Sequence, residues 1–488
     1  MSRATDKSVL RDFLGGGLRQ IAAVLGGLVT FPVIARMLDA DSLGAWQLLG
    51  ATSFLVGFAD LGLSTAVQRA AIGDDPERAR DALGLTLLVL VVLLPVFSAI
   101  GYVLVLDVPA EATALRADVA TAGIVAVVAG SVFGVSQPYR MFVLAKGGNR
   151  PIANARTVGA ILQMLTTIGL LQVWPHVIAP ATGLLVGYSI ETVITLRAAR
   201  ALDPQVPLWP RRARNRGAMM TSFRDGAAGF AINLATATAL RVDLFVISRV
   251  APLAVVAAYG AGGRAVETAY LIAKQAVVAL TPRLARKGER DSASRIGTIV
   301  FAGVILSGMM GLAIGGQGLL IAWVGDIGRG TTPAIVMAVL GSAAMIMSTY
   351  EVVGSMVMLN GKTGWECAIP IVAGNAMNLA ISIGLSPYFG VWAVAGSTVA
   401  GNLITCVMMW HRALRIMGWS LGTLGRLLGP VLLAGGVAAA AAVALRSFAA
   451  GGGLQSFAAC TLVSASGALV IALTLKLQRP TAPPAAAA

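Results

Sequence analysis

Charge is scarce in this chain. Only 12% of its 488 residues are Asp, Glu, Lys or Arg, about half the share found in soluble domains. Too few polar side chains are present to coat a soluble core of this size, and the apolar content is far too high for a disordered chain. Histidine is nearly missing: His176 and His411 are the only two, which leaves no material for a histidine-based metal centre or triad. The three cysteines, Cys367, Cys406 and Cys460, sit singly inside apolar runs, so neither a disulfide framework nor a zinc site is expected. No GxxxxGK[ST] segment exists to cradle a nucleotide phosphate. With these absences no cofactor is expected, and nothing marks the chain as an enzyme.

What remains is oil. Hydrophobic residues make up 57% and the mean hydropathy is +0.80, with apolar windows of about 20 residues recurring throughout. The expected fold is an all-α polytopic membrane protein of about 14 transmembrane helices. The spans fall near 12–36, 43–68, 82–106, 118–142, 152–173, 178–199, 222–248, 253–281, 294–315, 333–358, 364–386, 390–411, 426–446 and 454–476. A net charge of +15 raises the question of nucleic acid, but position answers it. Most basic residues cluster on alternate connections, such as Arg78 and Arg80, Arg197 and Arg200, and Arg412 and Arg415. Such alternation marks cytoplasmic loops rather than a nucleic-acid surface. No nucleic-acid partner is expected, and both termini are predicted on the cytoplasmic side. The basic N-terminus leads into a long apolar run without a clear cleavage site, which reads as a retained first helix. Trp46, Trp174, Trp323 and Trp392 fall at predicted outer ends, as an interfacial aromatic belt requires.

The sequence also repeats itself. Phe31–Trp46 lies without a gap over Leu244–Tyr259 at a constant offset of 213 residues, pairing Arg36 with Arg249 and Trp46 with Tyr259. Two six-span lobes are expected, related by a pseudo-two-fold axis along the membrane normal, because an even span count puts both in the same orientation. The division is 1–200 for the N-terminal lobe, 201–220 for a basic cytoplasmic linker and 221–415 for the C-terminal lobe. Residues 416–478 form two additional helices, and 479–488 a disordered, low-complexity tail.

Ionisable residues at membrane depth are the candidates for function. One Arg or Lys at bilayer centre costs about 2.5–3.5 kcal/mol on the insertion scale, so Arg19, Arg264 and Lys274 are expected to face a cavity or a partner. Arg264 and Glu267 are three apart on span eight and face the same way; Lys274 falls on the same broad face. Arg241 and Asp243 are two apart, so only one of them is expected to face a cavity, and Arg241 lies close enough to the outer end to snorkel. Asp60, Glu191 and Glu351 sit inside apolar runs. Together with Glu267 they are candidates for coupling transport to an H+ or Na+ gradient, or for balancing the arginines.

Three stretches resemble a known group. VIARMLDADSLGAWQLLGATSFLVGFADLGLSTAVQRA contains the pattern Asp60-Leu61-Gly62-Leu63 and resembles the first two helices of polysaccharide-type flippases. RVDLFVISRVAPLAVVAAYGAGG is similar to their seventh-to-eighth helix pattern, with Ala257 in place of the usual glycine. LSPYFGVWAVAGSTVAGN resembles the turn before helix twelve, with Ala393 where glycine is common. The resemblance is to Wzx-type oligosaccharide flippases of the multidrug/oligosaccharidyl-lipid/polysaccharide exporter superfamily. It implies a two-lobe fold in the bacterial inner membrane that moves undecaprenyl-diphosphate-linked sugar units for surface polysaccharide synthesis. A polysaccharide polymerase and glycosyltransferases are the implied protein partners. Arg19, Arg264, Lys274 and Arg241 then become candidate contacts to the diphosphate. Three other readings stay open: a lipid II flippase of peptidoglycan synthesis, a cation-coupled multidrug exporter of the same fold, and a non-transporting scaffold of a glycan-assembly complex.

Overall fold

The computed structural model describes residues 27–57, 59–72, 75–107, 113–211, 216–285, 290–360, 363–449 and 453–477. Arg19, most of the first predicted span and the tail from 479 lie outside the described residues. Every regular element among the described residues is helical, as a bilayer demands of backbone that must satisfy its own polar groups. The first elements are α1 (Gly27–Met37), α2 (Ala40–Val56), α3 (Leu63–Ile72), α4 (Pro76–Leu106), α5 (Thr113–Ala145), α6 (Asn149–Val173) and α7 (Ile178–Leu202). They are followed by α8 (Arg216–Val250), α9 (Leu253–Ala285), α10 (Arg290–Val324), α11 (Thr331–Asn360), α12 (Trp365–Phe389) and α13 (Val391–Met417). The chain closes with α14 (Leu421–Ala444), the short α15 (Arg446–Ala449) and α16 (Gly453–Leu477). Among the described residues, ten helices are long and apolar enough to cross a membrane. The charge-bearing α8 and α9 are not among the ten.

The predicted second span is not one helix. It breaks between α2 and α3, where Leu61 (φ 49°) and Gly62 (φ 73°) adopt left-handed backbone, a region glycine enters freely and leucine does not. The break frees amides that the helix would have satisfied, and Asp60 takes them. Its Oδ1 accepts from the Gly62 amide and its Oδ2 from the Ser64 amide, both at 3.1 Å. This is side-chain capping of a helix start, placed inside the membrane. A Cβ on Gly62 would come within 2.5 Å of the Phe230 nitrogen on α8, so glycine is needed there for contact as well as for φ.

Packing recurs along the chain. In the first half α6 packs on α7, α5 on α7, α4 on α5, and α2 and α3 on α5. Six spans on, α12 packs on α13, α11 on α13, α10 on α11, and α9 on α11. A duplicated unit would produce this recurrence. The helices α14 and α16 lie against α10, outside the repeated arrangement. The two sets of helices meet where α2 crosses α9, close enough that a Cβ on Gly44 would approach the Leu253 carbonyl oxygen to 2.2 Å, and where α3 crosses α8. At one membrane face Arg249 pairs with Asp107, Arg36 donates to the Ala322 carbonyl, and the Trp323 indole donates to the Leu28 carbonyl at 3.0 Å.

The start of the expected 201–220 linker is ordered. Arg80 holds Asp203 through two hydrogen bonds of 2.7 and 2.8 Å, Tyr139 donates to the Pro207 carbonyl at 3.0 Å, and the Arg211 amide donates to the Gly84 carbonyl. The Arg80 guanidinium holds the Asp203 carboxyl below the usual carboxylate range.

Candidate functional site

Helix α9 repeats polar and small residues at helical spacing. Tyr259, Gly263, Glu267, Tyr270 and Lys274 follow at intervals of four, four, three and four, and an eleven-residue step returns to within about 20° of its start. That face borders a cavity of about 380 Å³ enclosed by α8, α9, α11, α12 and α13, with Gln47 of α2 reaching its edge. The cavity therefore lies within the second set of helices, not midway between two lobes.

Three charge groupings line it. Glu267 serves two arginines at once: its Oε1 accepts from Arg241 at 2.9 Å and its Oε2 from Arg264 at 3.1 Å. The Arg241 guanidinium also lies over the Phe54 ring, 5.1 Å from its centre. Deeper along α9, Lys274 is 2.7 Å from Glu351 Oε1, and the Tyr270 hydroxyl donates to Oε2 of the same carboxylate at 2.7 Å. The third carboxylate, Asp243, accepts through Oδ2 from the hydroxyls of Tyr259 and Thr398, each at 3.0 Å. Nearby the Tyr350 hydroxyl donates to Asn402 at 2.8 Å.

Arg241, Arg264 and Lys274 are thus matched by Asp243, Glu267 and Glu351. The stripe on α9 is net positive, as its sequence reads, but α8 and α11 add the acids that balance it. Exposure sets Arg264 and Lys274 apart from the acids they pair with. Arg264 and Lys274 keep 36% and 38% of their side-chain surface accessible, against 16% for Glu267 and 15% for Glu351. These two cations present N–H groups to the cavity with their carboxylates behind them, while Arg241 is as buried as the acid it holds. Such a surface offers charge-assisted hydrogen bonds to an incoming oxyanion.

Arg241 and Asp243 both line the cavity, where helical spacing admitted only one. The long arginine stem carries its guanidinium round α8 to Glu267, while the short Asp243 side chain stays between Tyr259 and Thr398. Glu191 is elsewhere, on α7, with Arg156 of α6 at 3.8 Å. Asp60 is at the α2–α3 break and has no ion pair among the described residues. Arg19 lies outside the described residues. Sequence reasoning missed Tyr259, Tyr270, Tyr350, Thr398 and Asn402 as cavity residues, and Cys367 also borders the cavity. Among the described residues no group of three or more His, Cys, Asp or Glu side chains is placed to hold a metal ion.

A family model described as polysaccharide biosynthesis protein matches residues 9–287, more than half of the chain. No curated protein sequence matches. Among solved structures, the fold is similar to that of the lipid II flippase MurJ in an inward closed conformation. The TM-score is 0.72 at 10% identity, covering 95% of this chain and 98% of that one. A mutant of the Vibrio cholerae MATE transporter VcmN is similar at TM-score 0.64 and 13% identity, over 85% of this chain and 98% of that one. A multidrug resistance MATE family transporter of the MOP superfamily matches at TM-score 0.61 and 15% identity, over 81% and 95%. At such identities these likenesses speak for the fold alone.

Proposed function

The chain belongs to the polysaccharide biosynthesis protein family, and from that membership we propose that it is a flippase. Its cargo in this reading is an undecaprenyl-diphosphate-linked oligosaccharide, moved across the bacterial inner membrane by alternating access for surface polysaccharide synthesis. The observation that carries the reading is the cavity of α8–α13, with Arg264 and Lys274 accessible in front of carboxylates that hold them in place. A diphosphate cannot enter hydrocarbon with its charge uncompensated. Here its oxygens would take the N–H groups of Arg241, Arg264 and Lys274 in exchange for Glu267 and Glu351. A carboxylate released in that exchange can accept a proton or a Na+ ion, which gives Glu267 and Glu351 a role in coupling. Arg19 remains a proposed contact from the first helix. The polyprenyl chain stays in lipid, and both termini face the cytoplasm, where glycosyltransferases build the cargo; a polymerase receives it on the far side.

A lipid II flippase is the second reading, favoured by one observation. The alignment with MurJ reaches 95% of the chain, whereas those with the two MATE transporters stop at 85% and 81%. Deletion in the host separates the two: viable cells without surface polysaccharide support the first, and lethality the second. In the same host, Arg264→Ala at normal protein level should abolish glycan export. Full export by that variant sinks the assignment of the cavity.

A further inference from the structure

A second polar cluster lies in the first set of helices, away from the cavity. Arg140 and Gln137 stand one turn apart on α5, Arg156 on α6, and Glu191 on α7. Arg156 Nε is 3.8 Å from Glu191 Oε1, too far for a hydrogen bond, and Arg140 is within electrostatic reach of both. Three buried polar atoms here have no hydrogen-bond partner: Gln137 Nε2, Arg140 Nε and Glu191 Oε1. Buried polar atoms are nearly always satisfied, and each exception asks for a reason. Two guanidiniums share a single carboxylate, with the Gln137 amide one turn from Arg140, so the cluster carries one net positive charge and unused N–H donors. That composition suits an oxyanion.

Depth and continuity say what the oxyanion is doing there. By helix rise, Arg140 lies about 8 Å, Arg156 about 11 Å and Glu191 about 17 Å from the helix ends that carry the basic loops. The cluster therefore runs inward from near the end of α5 and lies nearer the predicted cytoplasmic face than Arg264. Tyr188, one turn from Glu191, stacks on Phe133 with ring centres 4.7 Å apart. It lies within electrostatic reach of Arg156 on one side and of Arg241 and Arg264 on the other. The two cationic groups are thus neighbours across the meeting of the two helix sets.

We propose that Arg140 and Arg156, poised around Glu191, with Gln137 one turn from Arg140, form a second oxyanion-binding station that holds the anionic part of the cargo before it reaches the cavity of α8–α13. The proposal rests on the flippase reading for its cargo, but the station itself is defined by its unpaired donors. Its ligand chemistry is a phosphate or carboxylate oxygen, supplied by the lipid diphosphate, by a free anion or by an acidic sugar. Glu191 competes with that ligand for the guanidiniums, so its charge sets how readily the station is filled.

The test uses the full-length protein in nanodiscs with three probes: undecaprenyl diphosphate, inorganic pyrophosphate and glucuronate. Binding is measured for wild type, Arg140→Gln, Arg156→Gln, Glu191→Gln and Arg264→Ala, with thermal unfolding as the check on folding. Arg140→Gln and Arg156→Gln should each weaken binding of at least one probe by about tenfold, the loss of one charge-assisted contact, and the probe affected names the source of the oxyanion. Glu191→Gln should bind the same probe severalfold tighter, and this arm decides should either arginine variant fail to fold. Wild-type affinity in both arginine variants, or weaker binding in Glu191→Gln, overturns the station. If Arg264→Ala alone weakens binding, the station is wrong while the cavity assignment stands. If Arg264→Ala binds normally and the α5–α6 arginine variants do not, the station stands and the cavity assignment fails.

Discussion

Glu267 is shared by two guanidiniums, and removing it would leave Arg241, only 12% exposed, without its acceptor. Breaking a buried pair from one side costs about 3–5 kcal/mol, so Glu267→Gln should lower the thermal unfolding midpoint in detergent. Undecaprenyl diphosphate, by replacing the lost carboxylate, should raise the variant's midpoint more than it raises that of wild type. Asp203 makes a separate prediction. Its pKa is depressed by Arg80, so the clasp contributes its full stability above the unfolded value of about 3.9 and loses it as pH falls through the lower folded value. Asp203→Asn should destabilise at pH 7 by about 1.5–3 kcal/mol, the range for a hydrogen bond to a charged group, and the difference from wild type should close at strongly acidic pH. Scans at pH 7 and below pH 3 would check it.

At this scale the sequence showed the charges and hid their companions. Arg264, Glu267, Lys274 and Glu351 are conspicuous because an ionisable group in an apolar run is costly. Tyr259, Tyr270, Thr398 and Asn402 carry no such cost, and aromatic or hydroxyl side chains occur in membrane helices for packing and for the interface. The one available signal was the eleven-residue return from Tyr259 to Tyr270 on the face that holds Glu267. The expectation that only one of Arg241 and Asp243 faces the cavity failed because helical angles locate Cβ atoms, whereas a guanidinium sits at the end of a long flexible stem.

Among the elements, the break between α2 and α3 was the least legible. The apolar run from 43 to 68 is continuous, and Asp60-Leu61-Gly62-Leu63 reads equally as a family pattern or an isolated charge. The structure gives Asp60 a local task, accepting two amides that the break exposes. Asp60→Asn, which keeps one carbonyl acceptor, should retain transport and most of the stability. Asp60→Ala should cost about 1–3 kcal/mol for each amide left without a partner and lower the folded yield. Loss of transport in Asp60→Asn with normal folding would instead identify an ion carrier. Gly62→Ala combines unfavourable φ with the contact to Phe230, so it should be at least as damaging as Asp60→Ala. By contrast, the long helices α4 to α7 and α10 to α13 were plain in the sequence, because a span must be long and apolar and little else in a protein is both.

For the whole molecule, the internal repeat raised the expectation of two related sets of helices. The position of the cavity could not be read from that repeat. Whether a charged face turns toward its own set or toward the other depends on how α8, α9, α11 and α13 tilt against each other. The contacts Arg249–Asp107, Arg36–Ala322 and Trp323–Leu28 join the two sets at the face proposed as external, and alternating access requires them to part. The ion pair is exposed and therefore weak, which suits a contact that opens in each cycle. Making it permanent should stop the cycle: Asp107→Cys with Arg249→Cys, bridged by a short thiol cross-linker that a reductant cleaves, should block export and recover it on cleavage.

In the proposed function the cations of α8 and α9 carry a diphosphate-linked glycan across a bilayer. This is tested most directly by reconstituting the purified protein in vesicles with a labelled undecaprenyl-diphosphate oligosaccharide on one leaflet and measuring its appearance on the other. Wild type should transfer the glycan, and the rate should fall to the protein-free value in Arg264→Ala and Lys274→Ala. Transfer by both variants at the wild-type rate, or none by a folded wild type under an imposed H+ or Na+ gradient, would contradict it.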